Sequence, residues 1–411
     1  MVPALFLASS APAASPGRQR LAVIAMLRRA FLPGLVGLLG LMLFAPSRAA
    51  TWIVGPAPPS MSLRDALAVA ADGDTIALMA GEYDGQVGVI EQKRLTLRGI
   101  GERPVLRAGG RHAEGKGILV VRGGEVLIEN VEFRSARVPD GNGAGVRLER
   151  GRLKVVRCAF YDNEIGLLTG NDPETELEIV DSEFGQAPQV NGGLHHLLYA
   201  GRIGRLTVTG SRFHEGYEGH LIKSRARQTS LFYNLIYDGW SGGASYEVDL
   251  PNGGEAWLVG NVIGQSPETQ NRVLVSFGAE GEPWPRSALY LAHNTLISPL
   301  GTPAWFLRTW SERLPGRAPV VAVNNVLAGV GVLDAGASST VAGNGRTLGR
   351  WLRSPDTLDF SLPHASRLRG TAVDARQLEG QDLTPKAEFR LPVGTRPLSA
   401  PPRWAPGAFQ Q

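Results

Sequence analysis

Four short stretches decide the fold: LFYNLI at Leu231–Ile236, WLVGNVI at Trp257–Ile263, YLAHNTL at Tyr290–Leu296 and VAVNNVL at Val321–Leu327. Each is an apolar alternation that runs into an asparagine, then any residue, then an aliphatic one. The same pattern precedes them in LIENVEF (Leu127–Phe133), VVRCAF (Val155–Phe160), LEIVDSEF (Leu177–Phe184) and LTVTGSRF (Leu206–Phe213). The position two before the last apolar residue is Val131, Cys158, Ser182, Ser211, Asn234, Asn261, Asn294 and Asn325, recurring every 23–33 residues. A period of that size marks stacked repeats. Short alternating strands with glycine-rich corners, and no helix-length apolar period, exclude a helical repeat.

One coil of such strands cannot bury its inward side chains, but stacked coils bury them against each other. The expectation is an all-β chain, a parallel β-helix with strands about 4.8 Å apart. Phe133, Phe160, Phe184, Phe213, Ile236, Ile263, Leu296 and Leu327 form an apolar ladder inside it. Asn234, Asn261, Asn294 and Asn325 form an amide ladder at a corner, bonding along the axis. Variable repeat length places inserted loops on one edge, where binding faces are built.

Residues 1–50 read as a leader. From Met26, the expected true start, two arginines precede an apolar run from Phe31 to Phe44, and Ser47, Ala49 and Ala50 offer a cleavage site. The run is too short, and interrupted by Pro33, for a membrane span, so none is expected after cleavage. Export to the periplasm or the extracellular space follows. Without residues 1–49, which hold five arginines and no acid, the formal charge falls from +4 to −1. No basic field remains to hold nucleic acid.

The β-helix is expected over 51–370. A serine-capped helix carrying Leu63, Ala66, Leu67 and Ala70 on one face would cover its first coil. Residues 371–411 read as a proline-rich tail packed on the solenoid, with Gly407–Phe409 as a last strand. Ser298–Pro319, with Trp305, Phe306 and Trp310, reads as an inserted side flap. The single cysteine, Cys158, lies in an alternating strand and reads as a buried inert thiol.

The opening GDTIALMAGEYDG, the asparagine-rich strands and the closing PGAF resemble right-handed parallel β-helix proteins of the pectin-lyase-like superfamily. The resemblance spans nearly the whole chain after the leader. It implies a right-handed coil and a range of activities: polysaccharide lyases, glycoside hydrolases, uronate epimerases and non-catalytic surface proteins.

Four charges interrupt the strands. In HLIKSRA, Lys223 and Arg225 alternate with Ile222 and Ser224. In SYEVDLPN, Glu247 and Asp249 alternate with Tyr246, Val248 and Leu250. The apolar sets must point inward, so all four charges are expected outward on equivalent strands of adjacent coils. One reading is a salt-bridge ladder. The other is a site for an acidic, uronate-containing polysaccharide. His220, Asn252, Asn271, Arg272 and Trp284 are its candidate substrate contacts, and the PNGG turn after Leu250 its source of free backbone N–H groups.

For β-elimination or C5-epimerisation, Lys223 is the candidate base, and Arg225 binds the carboxylate through its planar fork. Glu247 and Asp249 offer a calcium site, although the sequence requires no cofactor. HLIKSRA is similar in position to the catalytic strand of the chondroitinase B and alginate lyase family. Here the next coil carries Glu247 and Asp249 where that family's arginine is expected. A hydrolase using the two carboxylates, and a non-catalytic glycan-binding or envelope-associated β-helix, are the alternatives. His195 and His196 alternate on one strand and cannot share one metal simply. Oligomeric state is not legible.

Overall fold

From the coil that begins at Glu125 onward, the corner between the first and second strands turns on one left-handed residue. The computed structural model describes residues 49–190, 192–337 and 339–410. In it Asn130, Arg157, Asp181, Gly210, Tyr233, Gly260, His293, Asn324 and Gly343 all have φ between 49° and 70°. A left-handed residue turns the chain sharply, and from Asp181 onward the serine or asparagine after it holds the turn. The backbone N–H groups of Asn234, Asn261, Asn294 and Asn325 each donate to the side-chain oxygen of the next asparagine at 2.9 Å, the last reaching Asn344. Each Nδ2 also donates to a carbonyl one coil back: Val208, Leu231, Leu258 and Leu291. Ser182 and Ser211 continue the ladder with their hydroxyls, so it runs unbroken from Cys158 to Asn344.

Three parallel sheets result, with 12, 11 and 10 strands, each strand paired with its equivalents in the coils before and after. Sheet I runs from Thr51–Val54 to Ser339–Ala342, sheet II from Glu82–Asp84 to Gly345–Thr347, and sheet III from Gly88–Ile90 to Gly331–Asp334. The coil is a right-handed parallel β-helix, the hand that parallel crossovers strongly prefer. Phe133, Phe160, Phe184 and Phe213 pair in register with ring centroids 5.2, 4.4 and 4.8 Å apart. Ile236, Ile263, Leu296 and Leu327 continue this fully sheltered column.

The helix Leu63–Val69 covers the first coil. Ser62 caps its start, accepting from Asp65 N at 3.2 Å, and Leu63, Ala66 and Leu67 are buried. Gln92 donates to the carbonyls of Leu67 and Ala70 and so holds its end. Burial pushes the Cys158 thiol up to about 11 and keeps it unreactive at neutral pH.

The last solenoid strand is Gly345–Thr347. The chain beyond it lies on the outside, with Phe360, Phe389 and Ala408 against Leu235, Tyr237 and Val326 of sheet II. Ala375 and Leu383 pack on Val321 and Tyr290 of sheet I. Two expectations are corrected. Gly407–Phe409 is not a strand; the tail's pairing is an antiparallel hairpin of Ala387–Phe389 with Thr395–Pro397. Ser298–Pro319 is not a side flap, because Ala304–Thr309 is a full strand of sheet III, with Phe306 in the core. Its flanking prolines and tryptophans hid an ordinary coil. The expected leader lies outside the described residues, apart from Ala49 and Ala50. Among the described residues no helix is long and apolar enough to cross a membrane.

Candidate functional site

Outside sheet III, register stacks one side chain per coil into a column: Arg147, Leu168, Tyr199, Lys223, Asp249, Ser276 and Arg308. The partners that alternate with them, Ile222, Ser224, Val248 and Leu250, are fully buried inside. Lys223 and Asp249 are therefore outward and in register, yet only 8% and 2% exposed. Neighbouring side chains and an inserted corner cover them.

That corner is Gly278–Ser287, ten residues long, where the seven sheet III to sheet I corners before it use three to six. It places Glu280 over the column. Lys223 Nζ donates to Glu280 Oε1 at 2.9 Å and lies 3.5 Å from Asp249 Oδ2. Arg225 donates to the other oxygen of Glu280, to Tyr199 Oη at 2.9 Å and to Asn252 Oδ1 at 2.6 Å. One carboxylate is thus gripped by two cations. Partial burial opposes ionisation of Glu280, but the bonds from Lys223 and Arg225 outweigh it and hold its pKa below the ordinary range.

A stack of rings borders the cations. His196 and His220 are 4.7 Å apart, His220 and Tyr246 4.8 Å. His196 Nδ1 accepts from the backbone of His220 at 2.9 Å, and His220 Nδ1 accepts from that of Tyr246 at 3.3 Å. Both rings then carry hydrogen on Nε2, and that of His220 lies 3.5 Å from Asp249 Oδ2. Burial, with Lys223 and Arg225 adding to it, brings His196 down to about 3 and His220 well below its ordinary value, so both are neutral. Burial raises Asp249 against the opposing pull of Lys223. Its Oδ1 and the hydroxyl of Ser276 are buried with no partner among the described residues.

Asn252 and Trp284 hold the corner. Asn252 Nδ2 donates to the carbonyls of Gly281 and Glu282 at 2.5 and 3.2 Å, and Trp284 Nε1 donates to Arg225 O at 2.9 Å. Arg202 lies over the Trp284 ring at 4.4 Å. Two coils beyond Asp249, Arg308 sits against the indoles of Trp305 and Trp310, at 5.2 and 4.7 Å.

Glu247 is the main correction. It does not share an outer face with Asp249. The strand starts only at Val248, and Glu247 falls in register with Leu221 and Leu274 of the core. Alternation fails at the bend just before the strand, leaving a fully buried carboxyl whose two oxygens have no partner among the described residues. Burial, with the charge of Asp238 nearby, drives its pKa well above the ordinary value. The calcium site expected at Glu247 and Asp249 does not fit this donor set, because one carboxyl is inside and the other faces an ammonium. No cluster of three or more metal-binding side chains occurs among the described residues.

Asn271 and Arg272 sit at the turn before Val273–Phe277, and neither side chain has a described contact with the Lys223–Arg225 group. In the PNGG turn the glycine amides are not free: Gly253 N bonds to Leu250 O and Gly254 N to Ser287 Oγ. His195 is buried, and both its ring nitrogens lack a partner among the described residues.

The structure of pectate lyase Pel9A is similar to this fold, with TM-score 0.59 and 13% sequence identity over 89% of this chain and 97% of that one. The fold is therefore the pectin-lyase-like right-handed β-helix. No family model matches the sequence, and no curated protein matches it.

Proposed function

We propose that the chain is an exported, carbohydrate-active protein that takes an acidic, uronate-containing polysaccharide along the outer face of sheet III. We place β-elimination or C5-epimerisation at Lys223. The observation that carries this reading is the convergence of Lys223 and Arg225 on one carboxylate. A uronate carboxylate set between the same donors is neutralised, which weakens the neighbouring C5–H bond toward proton removal. The similarity to a pectate lyase structure supports a polysaccharide as ligand.

Arg225 is the carboxylate anchor, with a planar fork already oriented by Tyr199 and Asn252. Lys223 takes the C5 proton as the free amine, having first released a proton to solvent, while the Arg225 guanidinium carries the charge that neutralises the carboxylate. Tyr199, which accepts from Arg225, retains its own hydroxyl hydrogen for the leaving oxygen. No metal takes part in this scheme.

The test exposes purified protein to alginate, pectate and glycosaminoglycans while ultraviolet absorbance is followed. Elimination produces an unsaturated, absorbing product, and epimerisation in deuterated water places deuterium at C5. Neither signal, with every polymer bound or unbound alike, rejects the chemistry. Binding without either signal supports a non-catalytic glycan-binding protein, a reading favoured by the covered state of Lys223.

A further inference from the structure

We infer that Glu280 is an internal stand-in for the ligand's carboxylate: it fills the anion position between Lys223 and Arg225, and only a ligand with its own anionic group exchanges with it. This rests on the acidic-ligand reading above and adds the device that selects the ligand.

Three observations carry it. First, Glu280 belongs to the inserted corner rather than to a coil, so no stacking requirement of the solenoid puts a carboxylate there. Second, its side chain is 43% exposed, whereas those of its partners Lys223 and Arg225 are 10% and 20% exposed. The cations are fixed in the wall; the carboxylate approaches from the solvent side, as a ligand must. Third, the corner is secured by its backbone and by other side chains. Glu280 N donates to Pro251 O at 2.9 Å and Trp284 N to Asn252 O at 3.0 Å. Arg202 donates to Glu282 O at 2.6 Å. A rotation of the Glu280 side chain into water therefore frees both cations while the corner stays folded.

Covalent attachment gives Glu280 a high effective concentration at the cation pair. A neutral sugar offers nothing to replace its two charge-assisted bonds, leaving Arg225 with no carboxylate and Lys223 with Asp249 alone. A uronate restores both. Glu280 thus sets selectivity for anionic ligands and weakens their binding at the same time.

The experiment titrates oligogalacturonate, oligomannuronate and a neutral oligogalactan into wild type, Glu280→Gln and Glu280→Ala by calorimetry. Thermal melts of each protein confirm folding. The expected result is binding of an oligouronate about tenfold tighter by both variants than by wild type. That gain disappears when Arg225→Gln is added. Variants that fold normally and bind the oligouronate no better than a binding wild type overturn the inference and leave the acidic-ligand reading standing. If no protein, including Glu280→Ala, binds either uronate, both readings fall together.

Discussion

Lys223 and Asp249 stand directly opposite each other on neighbouring coils, in register, with Nζ 3.5 Å from Oδ2 and both side chains nearly sealed from water. Their burial changes the expected cost of breaking the pair. An exposed ladder would lose at most about 1 kcal/mol. Removing one partner of a buried pair leaves an uncompensated charge and costs about 3–5 kcal/mol. Lys223→Met is therefore expected to lose about 3 kcal/mol in urea denaturation, and adding Asp249→Asn is expected to return much of it. Losses that simply add in the double variant would show that the two groups do not face each other.

Arg225 makes bonds in three directions from one rigid plane. Arg225→Lys keeps the charge and loses the fork, so it is expected to behave like Arg225→Gln. Both should bind oligouronate at least about tenfold more weakly than wild type, read by calorimetry. Full binding by Arg225→Lys would reduce the residue's role to its charge.

The asparagine ladder predicts position-dependent losses. Asn294 accepts from the backbone and side chain of Asn261 and donates to Asn325 and Leu258, all buried. Asn294→Ala strands several of these groups, and each costs about 1–3 kcal/mol. Asn344 ends the ladder in a part-buried setting, where water replaces lost partners. The expected stability loss is larger at Asn294 than at Asn344, measured by denaturant unfolding.

Glu247 replaces the leucine that the coils on either side place at its position. Glu247→Leu is expected to stabilise the protein by about 1–3 kcal/mol at neutral pH. The gain depends on pH. With a folded pKa well above the ordinary value, the native carboxyl keeps a proton that the unfolded chain has released. Between those two values wild-type stability falls as pH rises, by about 1.4 kcal/mol per unit. The advantage of Glu247→Leu should therefore widen in thermal melts as pH rises above the ordinary carboxylate range. Asp238, which burial pushes up to about 6, acts in the same direction and is present in both proteins.

The fold was legible because stacking puts like residues at like places. The phenylalanine and asparagine series each needed only a repeat count. Lys223, Arg225 and Asp249 were legible for a related reason: within a strand, alternation assigns faces. Glu247 was misplaced because alternation was extended past the first residue of a three-residue strand. Tyr199 was missed because register across coils is not local. It stands 17 residues after Ser182, whereas its partner Lys223 stands 12 after Ser211. Glu280 had no period to betray it, since it lies in an inserted corner that only three-dimensional closure brings over Lys223. A ten-residue gap between two strong strands was the available signal.

The most direct measurement is a crystal structure of the protein soaked with an oligouronate. The account predicts a ligand carboxylate within hydrogen-bond reach of both Lys223 Nζ and the Arg225 guanidinium, with the Glu280 side chain turned out to solvent. An oligouronate bound elsewhere on the solenoid, with Glu280 still seated between the two cations, would contradict it.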